Sequence, residues 1–184
     1  MAYAGYRATS PQRGDPVIVF LIIWLMVIGA GSFLFHTFAT RWALIADVVP
    51  IGVFVFAFVL MAYRRLIGLS WLLALAIALA VTAATFAMPP WFNGSALYGP
   101  ALLMLCVTGI WLWVRGHEAA KWLLSATALF AVSLGLRTID RTGLVCGTNQ
   151  IGTHWAWHTL NAVLLYLLLR ALIDDPPAAS RKDR

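Results

Sequence analysis

Apolar residues gather along the chain into six runs of about 18 or more positions, separated by short polar breaks. The runs are Val17 to His36, Ala43 to Tyr63, Leu69 to Met88, Leu97 to Val114, Ala119 to Leu136 and Gly152 to Ile173. As helices rising 1.5 Å per residue they span roughly 27 to 33 Å, about the hydrocarbon thickness of a bilayer. A backbone alone in lipid must satisfy its own hydrogen bonds, and the runs show no strand-like alternation, so helix is the form imposed on them. The pattern predicts an all-α, polytopic membrane helical bundle with about six transmembrane helices. Residues 1–16 read as a cytoplasmic N-terminal tail, residues 17–173 as one six-helix transmembrane domain and residues 174–184 as a disordered cytoplasmic tail. Pro89 and Pro90, followed by Asn93, Gly94 and Ser95, make the third break a turn. Arg7 and Arg13 before an apolar stretch with small residues mimic a signal peptide, but the stretch continues through Phe35 and reads as a span.

Composition agrees with a lipid solvent. Of the 184 residues, 62% are hydrophobic and 11% charged, and the mean hydropathy is +0.85. A net charge of +6 would suit nucleic acid, but the basic residues sit at the ends of runs rather than on one stripe, so they read as topology signals and no nucleic-acid partner is expected. Ten of the thirteen Lys and Arg fall in the N-tail, the second and fourth breaks and the C-terminal end; only Arg41, Arg137 and Arg141 fall in the other breaks. Both termini are therefore expected in the cytoplasm, and a short Ala-rich chain with this bias points to a bacterial inner membrane. Cys106, inside a run, reads as inert packing; Cys146, in a polar loop, reads as a thiol without a partner in this chain. Nothing here assigns an oligomeric state.

Placed on this map, the polar residues within the apolar chain converge. His36 ends the first run, Asp47 opens the second, Asp140 follows the fifth, and His154 and His158 open the sixth, all in the non-cytoplasmic half. Ionisable groups at membrane depth are costly and tend to face a bundle interior or wet cavity, so the five suggest one shared polar site. His154 and His158, four apart, project from one helix face and can offer two imidazoles to one metal, with His36 as a third. Three neutral imidazoles leave the fourth position of Zn²⁺ open, the pattern of a catalytic site. Bis-His haem is the weaker alternative, since it leaves the third His and both Asp without a role. Asp47 reads as a ligand, a helix cap or, preferred here, a group beside the metal that accepts a proton. Ser32 lies one turn before His36 on its face, and Gly29, Ala30 and Gly31 allow another helix or a substrate to approach closely. Asp140, between Arg137 and Arg141, reads as a surface ion-pair member, and His117, beside Glu118, as a hydrogen-bonded loop residue.

Four segments, Gly31 to Ile51, Asn93 to Leu103, Leu136 to Cys146 and Gly152 to Ala162, resemble the alkaline ceramidase family, which belongs with the adiponectin receptors to a set of seven-helix membrane hydrolases. The specific parts are Ser32-x-x-x-His36, Asp47 eleven residues later and His154-x-x-x-His158. The resemblance implies zinc held by His36, His154 and His158, with Ser32 and Asp47 as catalytic residues beside it. It implies a zinc-dependent intramembrane hydrolase that cleaves the amide bond of ceramide or a related N-acyl lipid, the substrate entering from the bilayer. The alternative is a non-catalytic membrane receptor or sensor with a structural metal site. Residues Met1 to Pro16 do not match the family's extra N-terminal helix, nor its acidic calcium-binding segment with a cysteine that pairs with the loop cysteine. The chain is thus expected to lack the first helix and to bind no calcium, and Cys146 stands where the loop cysteine does.

Overall fold

The computed structural model describes residues 14–92, 94–140 and 152–174. Among these the chain is helical, without a strand. Six helices follow one another: α1 (Pro16–Phe38), α2 (Arg41–Ala62), α3 (Trp71–Ala87), α4 (Gly99–Val114), α5 (Ala119–Asp140) and α6 (His154–Ile173). A π-helical turn, Tyr63–Ile67, continues α2, and a 3₁₀ turn, Ser95–Tyr98, leads into α4. Each apolar run is thus one helix, with ends displaced by a few residues. Counted with those turns, five helices are long and apolar enough to cross a membrane; α3, with 17 residues, reaches only about 25 Å. Large apolar side chains stand on the outside, among them Phe86 at 83% and Leu72 at 76% exposure. Water would not tolerate such a surface over whole helices, and lipid does. The protein is an integral membrane protein of the all-helical kind. Residues 1–13 and 175–184 of the two tails, Arg141 and Cys146 lie outside the described residues, while Cys106 is a half-buried free thiol within α4.

The chain forms two compact units, Met1–Leu79 with Leu172–Arg184, and Ala80–Ala171. In the first, α1 opens on Asp15, whose Oδ1 accepts from the backbone N–H of Val17 at 2.9 Å and of Ile18 at 3.4 Å, with Pro16 at the position where a missing N–H costs nothing. Arg65, in the π-helical turn, donates from Nη2 to the same carboxylate at 3.0 Å. This ties the start of α1 to the end of α2. Helix α1 closes with Ala39 in the left-handed region at φ 50°, its N–H donating to the Phe35 carbonyl, and only Ala39 and Thr40 separate α1 from α2. Thr40, not Asp47, precedes the first turn of α2, so Asp47 sits well inside the helix and is no cap.

The α1 and α2 backbones meet at Gly31. A Cβ there would stand 2.0 Å from the carbonyl oxygen of Ala46 and 3.2 Å from Cα of Asp47. Pro50, four residues after Ala46, has no N–H to give that oxygen, so the close approach falls at a carbonyl left without its usual intrahelical donor. Trp24 Nε1 donates to the Pro50 carbonyl at 2.8 Å and holds the same crossing one turn further along. Gly31 therefore serves the helix contact expected of the small residues; Gly29 has nothing within 4 Å of its Cβ position.

In the second unit, α4 and α5 pack closely at Gly109, whose Cβ position lies 2.9 Å from the Leu124 side chain. Gly116 turns the chain at φ 65°, and His117 Nδ1 accepts from the Ala119 N–H at 3.1 Å, the local hydrogen-bonded role expected of this histidine. Helix α5 is held to α6 by Ser133, fully buried, whose hydroxyl lies 3.1 Å from Asn161 Oδ1 and 3.3 Å from the Trp157 carbonyl. Around it Tyr98, Phe130 and Trp157 pack ring against ring, Tyr98 and Trp157 with centroids 5.3 Å apart. The Arg137 guanidinium lies over both Tyr98 and Trp157, 5.2 and 5.5 Å from the ring centres, and donates to buried Ser95 at 2.7 Å. Two π faces and a hydroxyl thus stabilise a cation that lipid alone would not.

Candidate metal centre

The first turn of α6 is built from its own end and from the end of α5. A helix start leaves backbone N–H groups without intrahelical partners, and here Thr153 N–H donates to Asp140 Oδ1 at 2.6 Å. The Thr153 hydroxyl donates to the Leu136 carbonyl at 2.9 Å and lies 3.3 Å from Asp140 Oδ1. These contacts fix the two residues that follow, so the ring of His154 leaves α6 in a set direction. One turn later His158 projects from the same face, and the two Nε2 atoms face each other at 3.1 Å. On the far side of its ring, His154 Nδ1 lies 3.8 Å from Asp140 Oδ2.

Of the three predicted metal-binding histidines, His154 and His158 stand together on α6 in the second unit, and His36 closes the last turn of α1 in the first. The α6 pair can offer two ring nitrogens to one metal ion. Four-coordinate zinc with nitrogen ligands at about 2.0–2.1 Å separates neighbouring nitrogens by roughly 3.3 Å, and the 3.1 Å between His154 and His158 is close to that. Three imidazoles without a carboxylate form a donor set that zinc accepts while keeping a position free. His36 and His154 are exposed and His158 half-buried, so an ion can reach them.

Of the two residues expected beside the metal, Ser32 is half-buried on α1 and Asp47 half-buried on α2. Asp47 Oδ1 is buried and has no hydrogen-bond partner among the described residues. A buried carboxylate oxygen left so costs free energy unless a proton, a donor or a cation satisfies it. Ser32 and Asp47 flank the Gly31 crossing, Ser32 following Gly31 and Asp47 following Ala46, so both sit at this close helix contact.

Asp140, expected as a surface ion-pair member between Arg137 and Arg141, is largely buried, and Arg141 lies outside the described residues. Its side chain is only 15% exposed, Arg137 is engaged by Ser95 and two aromatic rings instead, and the carboxylate turns to Thr153 and His154. No spacing rule shows this, because the loop between α5 and α6 makes Asp140 and His154 distant in sequence.

No family model, curated protein or solved structure matches this chain.

Proposed function

We propose that the protein is a zinc-dependent intramembrane hydrolase that cleaves the amide bond of ceramide or a related N-acyl lipid. The His154 and His158 pair, with Nε2 atoms 3.1 Å apart on one face of α6, carries this reading, and the sequence motif supplies His36 as the third ligand. Three further features support it. The donor set leaves an open position suited to catalysis, Asp47 presents a buried carboxylate oxygen with no hydrogen-bond partner among the described residues, and the motif around Ser32, His36 and Asp47 resembles that of the alkaline ceramidases. Bound there, zinc supplies a Lewis acid that polarises a carbonyl and brings the pKa of water close to neutrality.

The chain's own residues divide the remaining work. His36, His154 and His158 hold the ion through neutral ring nitrogens. Asp47 accepts the proton lost by the attacking water at its free oxygen and returns it to the nitrogen of the breaking amide bond, which leaves as the amine. The carbonyl carbon gains the water oxygen and leaves as a fatty acid. The Ser32 hydroxyl donates a hydrogen bond to the carbonyl oxygen as negative charge develops on it. Apolar helix faces suit a substrate that arrives from the bilayer. The bias of Lys and Arg supports cytoplasmic termini and a site on the opposite side, periplasmic in a bacterial inner membrane.

The test is metal analysis and fatty acid release from ceramide by the purified chain. About one zinc per chain, with release abolished in His158→Ala and in Asp47→Asn while Asp47→Asn keeps its zinc, is the expected result. Full turnover by His158→Ala would overturn the reading, and a zinc-loaded chain whose function survives Asp47→Asn would favour a structural metal instead.

A further inference from the structure

We infer that Asp140 is a positioning residue for the metal centre, fixing the first turn of α6 through Thr153 and setting the His154 ring so that Nε2, not Nδ1, is offered to the ion. The inference rests on the reading of His36, His154 and His158 as metal ligands.

The two oxygens of this carboxylate address two consecutive residues. Oδ1 takes the Thr153 N–H at 2.6 Å, and Oδ2 stands 3.8 Å from His154 Nδ1. The first contact is a short hydrogen bond to a carboxyl oxygen at a helix start, where backbone N–H groups need acceptors. The second is electrostatic at that distance. An imidazole keeps its proton on the nitrogen that faces a carboxylate, which leaves the lone pair on the other nitrogen free. For His154 that other nitrogen is Nε2, and it is Nε2 that lies 3.1 Å from His158 Nε2. A histidine at the first position of a membrane helix has two ring faces and two nitrogens to choose from; Asp140 selects among them before any ion arrives. Because α5 also carries Ser133, bonded to α6 at Asn161, the carboxylate is held at the end of a helix already docked to α6.

Zinc and cobalt titrations of the full chain in detergent test this, with the wild type measured first. Asp140→Asn keeps an oxygen that can accept from Thr153 and removes the charge facing His154. It should weaken zinc binding about 10- to 100-fold and change the visible spectrum of the cobalt-loaded protein, while the metal-free chain keeps its helix content and unfolding midpoint. Thr153→Val disturbs the hydroxyl contacts alone and should bind zinc like the wild type. Wild-type affinity in Asp140→Asn overturns the inference, as does equal weakening in Thr153→Val, or unfolding of metal-free Asp140→Asn, each of which marks Asp140 as a helix cap only. A wild-type chain that binds neither metal overturns the underlying metal reading, and this inference with it; that outcome is separate because it appears before any variant is made.

Discussion

Gly31 and Ala46 touch backbone to backbone: a side-chain carbon on the glycine would stand 2.0 Å from the alanine carbonyl oxygen. The obstacle is a main-chain atom, which cannot rotate away, so α1 and α2 must separate to admit even a methyl group. Gly31→Ala is expected to destabilise the protein by about 1–3 kcal/mol or to prevent folding. Gly29→Ala, with open space around it, should be neutral or stabilising by less than about 1 kcal/mol. Unfolding in detergent, followed by helix content, separates the two.

The Asp15 carboxyl titrates below its ordinary value. Burial would raise it, but the hydrogen bonds from Arg65 and from the Val17 and Ile18 N–H groups, together with the Arg65 charge, outweigh burial. A depressed carboxyl stabilises the fold fully above its unfolded-state pKa, and that contribution is lost as pH falls through the folded-state value. Stability is therefore expected to fall on acidification below the usual carboxylate range. Asp15→Asn, which can still cap α1 but leaves Arg65 without its charged partner, should lose about 1–3 kcal/mol at neutral pH and show a flatter acid limb. Unfolding midpoints across acid pH provide the check.

Arg137→Lys is not conservative at its site. A planar guanidinium spans Tyr98 and Trp157 while donating to Ser95, and an ammonium cannot cover both rings and reach the hydroxyl together. A loss of about 1–2 kcal/mol is expected, read as a lower unfolding midpoint.

Removal of metal should lower stability as well as activity. A ligand present at about 100 times its dissociation constant stabilises the folded state by about 2.7 kcal/mol. A chelator should therefore reduce the unfolding midpoint of the wild type, zinc should restore it, and His158→Ala should respond to neither.

Ala39 holds a left-handed backbone conformation between α1 and α2 that glycine adopts without steric cost. Ala39→Gly is expected to stabilise the protein by up to about 1 kcal/mol, seen as a raised unfolding midpoint.

All six helices were legible in the chain, because the length of an apolar run and the need of a backbone in lipid to bond to itself are properties of local sequence. The same holds for the His154 and His158 pair, since spacing of four places two side chains on one face of any helix. What tertiary structure decided is which distant groups meet. It pressed Gly31 against a carbonyl that Pro50 cannot serve, and buried an oxygen of Asp47 without a hydrogen-bond partner among the described residues. It also set the Asp140 carboxylate against Thr153 and His154. Those outcomes depend on how helices pack and on where a loop returns the chain, and neither is encoded in the periodicity of a single segment.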